Sequence, residues 1–175
     1  MPLVLLIGGA RSGKSRLALQ LAQQRAPVVF LATGEPRDEE MRDRIERHRL
    51  ERPAGWRTIE EPLRLKATLD EIGPEPTLVV DCLSLWVANL LEAAGPAEIE
   101  EQARAAAETA ARRCGSTIAV TNEVGFGLVP TSRLGRSYRD LLGRTNAIWA
   151  EAADHALLVV AGRLLPLQRA TPLLE

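Results

Sequence analysis

Eight residues near the N-terminus restrict the fold more than any other part of the chain. Gly8-Gly9-Ala10-Arg11-Ser12-Gly13-Lys14-Ser15 follows a short apolar run at 3–7 and opens a stretch of helix formers at 15–24. A G-x-x-x-x-G-K-S spacing between a strand and a helix is that of a loop that wraps phosphate. The glycines let successive backbone N–H groups converge on phosphate oxygens, and the helix N-terminus adds the positive end of its dipole. Lys14 would bring a compact charge to the terminal phosphates, and Ser15 would offer a hydroxyl to Mg²⁺. The whole segment Gly8, Gly9, Ala10, Arg11, Ser12, Gly13, Lys14 and Ser15 is therefore a candidate nucleotide site. Lys14 stands out further because the chain has one other lysine, Lys66; the remaining basic residues are all arginine.

The rest of the chain continues the strand–loop–helix alternation that this motif begins. Unbroken apolar runs at 27–32, 77–81, 116–121 and 156–161 read as strands covered on both faces. Helical patterns lie at 38–51, 63–72, 83–91, 97–113 and 132–153. Asp38 is the expected N-cap of the first of these, with Glu39 and Glu40 in its first turn. A short strand is expected at 57–60. Residues 164–167 are expected to return antiparallel along 156–161, across Gly162-Arg163. The fold class is α/β: one P-loop domain over 1–175, with a mostly parallel β-sheet flanked by helices and a short antiparallel C-terminal edge strand. In such a sheet, ligands bind at the carboxyl ends of the strands. Asp81 ends one of them after Leu78-Val79-Val80, where a carboxylate can join the shell of a Mg²⁺ ion.

Composition excludes several functions. With a net charge of −1, the chain has no excess of basic residues with which to hold nucleic acid. No stretch approaches the ~20 apolar residues of a membrane span, and no leader precedes the glycine loop, so a cytoplasmic protein is expected. Cys82 and Cys114 are too few for a disulfide framework or a Cys-rich zinc site, and both are expected to be buried apolar residues.

Of the two histidines, His155 precedes a strand and is expected to be structural or exposed. His48 is different. Met41, Ile45 and His48 follow at i, i+4 and i+7 on one helix face, with Arg44, Arg47, Arg49 and Arg52 around them. Such a cluster of cations would gather a polyphosphate. A histidine beside a nucleotide α-phosphate can attack it in line and form a P–N bond as pyrophosphate leaves. A packed helix histidine gives the same pattern, and the residues alone leave both open.

These segments together resemble a known family. Gly8 to Ser15, then Arg44-Ile45-x-x-His48-Arg49 with Arg52-Pro53 and Trp56, then Thr121-Asn122-Glu123-Val124-Gly125-x-Gly127-x-Val129-Pro130, resemble the bifunctional adenosylcobinamide kinase / adenosylcobinamide-phosphate guanylyltransferases of cobalamin assembly. Arg139-Asp140 and Gly143-Arg144-x-Asn146 extend the match, which runs through the chain in order. The resemblance implies a RecA-like fold, a homotrimer, and two activities. One phosphorylates adenosylcobinamide with ATP or GTP. The other transfers GMP from GTP to that phosphate through a guanylyl-histidine. The nucleophile would be His48. Nucleotide contacts would fall on the glycine loop, on Ala32, Thr33 and Gly34, on Arg49, Leu50, Glu51 and Arg52, and on Glu60 and Asp81. Glu123 is a candidate for orienting the cobinamide hydroxyl or a metal-bound water. Where the family would place Gln after Asn146, this chain has Ala147. A monofunctional small-molecule kinase and a GTP-binding regulatory module are the readings that the loop alone would also allow.

Overall fold

Alternate residues of the strands face opposite layers, and both layers are dry. In the computed structural model, which describes residues 2–169, Leu5, Leu78, Val80 and Ala119 point to one face of the sheet, and Leu6, Val79, Ile118 and Val120 to the other. All eight are buried. This is why these strands read as unbroken apolar runs instead of alternating ones.

The described elements are β1 (Leu3–Gly8), α1 (Lys14–Gln23), β2 (Val28–Ala32), α2 (Glu39–Leu50), β3 (Arg57–Glu60), α3 (Leu65–Ile72), β4 (Thr77–Asp81), α4 (Leu83–Ala93), α5 (Pro96–Ala111), β5 (Thr117–Asn122), α6 (Arg133–Ala152), β6 (His155–Val160) and β7 (Arg163–Leu167). The strands form one sheet in the order β3-β2-β4-β5-β1-β6-β7. All neighbours are parallel except β6 and β7, which pair antiparallel with Val160 opposite Arg163. One layer is built by α3, α4, α5 and α6, with Trp86, Ile99, Leu142 and Trp149 in its core. Each such side chain contributes about 1.5–3 kcal/mol when fully buried. Alanines at 103, 106, 107 and 110 let α5 lie close against its neighbours. The other layer is thinner: α1 covers it with Ala18, Leu19 and Ala22.

Every expected element is present, with ends displaced by a residue or two. α3 starts at Leu65 rather than at 63 because Glu61 caps the preceding turn: its Oε1 accepts the backbone N–H groups of Leu63 and Arg64, each at 3.0 Å. Burial opposes the Glu61 charge, but those donors and the Arg64 side chain outweigh it and hold the carboxyl below its ordinary value. The cysteine expectation holds for Cys82 and fails for Cys114, which is exposed. Cys114 lies in the turn between α5 and β5. There its neighbour Arg113 turns inward, donating to the carbonyls of Gly73 and Pro76. His155 is exposed at the start of β6. Among the described residues, no helix is long and apolar enough to cross a membrane.

Candidate active site

β1 delivers the chain to Gly8 and α1 takes it up again at Lys14, so the glycine motif is the connection between them. Two of its residues need left-handed backbone: Arg11 has φ 56° and Gly13 has φ 100°. The loop is braced from both sides. Glu123 N, just past β5, donates to Gly8 O at 3.0 Å, and Gly162 N, in the β6–β7 turn, donates to Ser12 O at 2.9 Å. Lys14 curls back into the loop. Its Nζ donates to Gly8 O at 3.0 Å, Gly9 O at 2.7 Å and Ser12 Oγ at 3.4 Å. Only 6% of Lys14 is exposed. Burial pushes its ammonium below the ordinary value, while the Cys82 and Asp81 groups pull it partly back. A partly desolvated cation held on loop oxygens at the N-terminus of α1 is suited to an incoming phosphate.

Gly8 cannot carry a side chain. A Cβ there would stand 2.3 Å from the Val159 carbonyl oxygen of β6. Gly8→Ala is expected to force β1 and β6 apart and cost about 3 kcal/mol or more of stability. A urea titration followed by far-UV circular dichroism measures it; a midpoint equal to that of the wild type would refute it.

The loop, the end of β4 and α2 enclose a cavity of about 590 Å³. Ala10 to Ser15, Asp81, His48 and Glu51 line it, so the phosphate loop, the carboxylate and the histidine open onto one space. Asp81 is fixed by its neighbours. Thr33 N donates to Asp81 O at 3.2 Å, and the Thr33 hydroxyl donates to Cys82 O at 2.7 Å and accepts from Cys82 N at 3.0 Å. Asn89 Nδ2 then holds Thr33 O at 2.8 Å. Thr33 and Ala32 are buried, and Gly34 packs against Ile45 and Leu85. These three residues tie β2, β4 and α2 together and do not line the cavity wall.

Cys82 is also buried, with Sγ 2.9 Å from Ser84 Oγ. Burial, helped by the Asp81 charge, pushes its thiol up to about 11. Thiolate, the reactive form, is therefore scarce at neutral pH. A thiol reagent at ~pH 8 is expected to label the native protein once, at Cys114, and twice after unfolding. Peptide mass analysis reads this, and native labelling at Cys82 would contradict it.

α2 stands over the cavity as a strongly charged helix. Asp38 caps it as expected, its side chain accepting Met41 N at 2.7 Å. No residue of α2 is fully buried; Met41, Ile45 and His48 are the half-buried ones, the face read from their spacing. His48 Nδ1 lies 3.5 Å from Glu51 Oε2. Glu40, Arg44 and Arg47 join His48 in the cavity wall, as do Arg16 and Asn122. Arg44 and Arg47 belong to the cation cluster that the sequence offered for a polyphosphate, whereas sequence reading did not single out Glu40 or Arg16. The signal was available for α2: counting from His48, Arg44 lies at −4 and Glu40 at −8, the repeat of one helical face.

The remaining candidates lie elsewhere. Arg49, Leu50, Arg52 and Glu60 sit on the far flank of α2, towards β3. Arg49 approaches Glu60 at 3.8 Å, and the Arg52 guanidinium lies over the Phe30 ring at 3.9 Å. Burial holds Arg52 below its ordinary value, and its Nε is buried with no partner among the described residues. Leu50 is exposed. Glu123 follows β5, where its Oε1 accepts Gly125 N at 2.5 Å. Asn146 of α6 fixes the strand end beside it, accepting from Thr121 Oγ1 at 2.7 Å and donating to Asn122 O at 3.0 Å. The next residue, Ala147, faces solvent.

Among the described residues there is no cluster of three or more His, Cys, Asp or Glu side chains that could cage a metal. The Asp81 carboxylate at the end of β4 and the Ser15 hydroxyl at the start of α1 instead share the cavity. That donor set fits Mg²⁺, which keeps several waters and takes much of its shell from nucleotide phosphates.

The geometry has clear relatives. Residues 4–167 match the family described as cobinamide kinase / cobinamide phosphate guanyltransferase. The chain is 44% identical over 166 residues to the bifunctional adenosylcobalamin biosynthesis protein CobP of Pseudomonas aeruginosa, covering 94% of this chain and 96% of the relative. It is 41% identical over 174 residues to the corresponding CobU protein of Escherichia coli K12, with 91% and 96% covered. A crystal structure of the RadB recombinase superposes with a TM-score of 0.50 at 15% identity, covering 90% of this chain and 73% of that one. At that identity the likeness shows the fold alone, which is RecA-like. The chain belongs to the cobinamide kinase / cobinamide phosphate guanyltransferase family, whose members are bifunctional enzymes of cobalamin biosynthesis.

Proposed function

We propose that this chain phosphorylates the aminopropanol hydroxyl of adenosylcobinamide with ATP or GTP, then transfers GMP from GTP through His48 to the new phosphate, giving adenosylcobinamide-GDP. The observation that carries this reading is that the phosphate loop and His48 open onto the same cavity. In the first reaction the acceptor oxygen forms a bond to the γ-phosphorus and the nucleoside diphosphate leaves. Lys14 and the loop N–H groups hold the charge that builds on the transferring group. Glu123, just past β5, would orient the hydroxyl through a carboxylate oxygen freed from Gly125 N. In the second reaction an imidazole nitrogen of His48 bonds to the α-phosphorus of GTP and pyrophosphate leaves. A phosphate oxygen of the acceptor then attacks the same phosphorus and the P–N bond breaks, which restores the histidine. Glu51 near Nδ1 leaves Nε2 as the attacking nitrogen. Arg44 and Arg47, which line the cavity, would hold the polyphosphate. Arg49, Leu50, Arg52 and Glu60 would hold the guanine nucleotide on the outer flank of α2. When bound by Ser15 and Asp81, Mg²⁺ would supply charge neutralisation to the phosphates.

The reading carries two further proposals, a cytoplasmic location and a homotrimer. Support for assembly comes from the β6–β7 hairpin, where Val160, Leu164, Leu165 and Leu167 are exposed. β7 is an edge strand among the described residues, open to pairing by its backbone.

The test is product analysis. Protein, Mg²⁺, ATP, GTP and adenosylcobinamide should yield adenosylcobinamide-GDP by mass spectrometry, with adenosylcobinamide phosphate alone when GTP is left out and ATP is the donor. Formation of the phosphate but never the GDP derivative would reduce the protein to a monofunctional kinase. Nucleotide binding with no corrinoid product would favour a regulatory GTP-binding module.

A further inference from the structure

The connection between β5 and α6 holds large apolar side chains out in water. Phe126 is 85% exposed, Leu128 97% and Val129 66%. Both ends of this connection are tied down. At its start, Glu123 N is bonded to the glycine loop through Gly8 O, and the Glu123 carboxylate holds Gly125 N. At its end, Arg136 of α6 donates to Pro130 O at 3.0 Å and to Thr131 O at 2.7 Å. The apolar residues are thus presented by two anchored flanks, one residue beyond the segment that begins at the cavity wall with Asn122. Exposed apolar groups that are contiguous and held in place mark a surface that something covers.

What covers them follows from what the cavity leaves outside. Its volume is about 590 Å³, and its walls carry Lys14, Arg44, Arg47, Asp81 and His48, which suits a nucleoside triphosphate. A corrinoid is a broad, nearly flat macrocycle with apolar faces. It has no room beside a nucleotide there, and only its aminopropanol arm has to reach the phosphates. Resting on the function proposed above, we infer that Phe126, Leu128 and Val129 form a platform for the corrinoid face, so that the hydroxyl arm enters the cavity past Glu123. Gly127 suits this role: the place of its missing Cβ has only Val124 O within 4 Å, at 3.9 Å, so a flat ligand can approach the backbone. The β6–β7 hairpin is the other apolar rim, but it ends in an open strand edge, which suits another copy of the chain. The β5–α6 connection has no such edge and follows directly from Asn122 in the cavity wall.

The double variant Phe126→Ser/Leu128→Ser tests the platform. Cobinamide binding is read by equilibrium dialysis through the visible absorbance of the corrinoid, without nucleotide. Kinase KM and kcat are read at saturating ATP, and mass by sedimentation velocity. Cobinamide affinity is expected to fall, and KM for adenosylcobinamide to rise, by about tenfold or more. The kcat, the labelling of the protein by α-labelled GTP and the assembly state should not change. Unchanged affinity and KM would overturn the platform. A change in assembly state would overturn it in favour of a subunit contact. Wild-type protein that binds cobinamide but does not phosphorylate it would sink the proposed activity, and the variant's dialysis would still decide the platform.

Discussion

Lys14→Ala is expected to slow phosphoryl transfer by about 10²–10³-fold or more while leaving the fold intact. The two halves of this result have one cause. Lys14 Nζ sits inside the phosphate loop on Gly8 O, Gly9 O and Ser12 Oγ, and burial holds the ammonium below its ordinary value. A lysine with a lowered value is a cation that folding has disfavoured, so its removal does not take a stabilising charge out of the native state at neutral pH. Of its three acceptors, one belongs to Ser12, which lines the cavity. What disappears is the charge proposed to meet the transferring phosphoryl group; the other cations of the cavity wall, Arg11, Arg16, Arg44 and Arg47, make no bond to Gly8 O, Gly9 O or Ser12 Oγ among the described residues. Thermal unfolding and kinase kinetics with adenosylcobinamide, measured on the same preparation, check both halves. A variant that melts far below the wild type would mean that Lys14 is structural. One that keeps wild-type kcat would remove the loop from the chemistry.

Much of this arrangement was legible in the sequence, because the signals were local. An unbroken apolar run such as 77–81 can be satisfied only by a strand covered on both faces. Asp38 announces a helix because an acceptor is needed for the orphan N–H groups that follow it, and Met41 N receives that bond. The glycine motif carried its own context of strand and helix. What the sequence hid depends on partners far away in the chain. Ala32 and Thr33 stand at a strand's carboxyl end, where a ligand site belongs, yet Cys82 and Asn89 use up the polar groups of Thr33. Nothing near residue 33 reports that. Asn146 is marked in the sequence by the family match alone, and its partners come from β5, as Thr121 and Asn122. Cys114 looked like a core residue by type, but a turn decided its exposure. Arg44 and Arg47 were visible as charges near His48; that they face the cavity, while Arg49 and Arg52 turn towards Glu60 and Phe30, became clear only once α2 was oriented over β4.

His48→Ala should separate the two activities. Guanylyl transfer is expected to fall by about 10³-fold or more, as removal of a covalent nucleophile does, while phosphorylation of adenosylcobinamide with ATP stays within a few-fold of wild type. The separation follows from the position of the histidine. His48 reaches the cavity from α2, a helix with no fully buried residue, so its loss removes little packing. The phosphate loop is braced instead by Glu123 N and Gly162 N, bonds that do not involve α2. The decisive measurement uses GTP labelled at the α-phosphate. Wild-type protein should carry an acid-labile, base-stable label on His48; the variant should carry none and should accumulate adenosylcobinamide phosphate. Loss of both activities would make His48 a positioning residue for the nucleotide that both reactions share. Persistence of the label in the variant would move the covalent step to another side chain. If neither protein takes up label while the kinase remains active, the arginines of α2 serve phosphate binding alone and the protein is a monofunctional kinase.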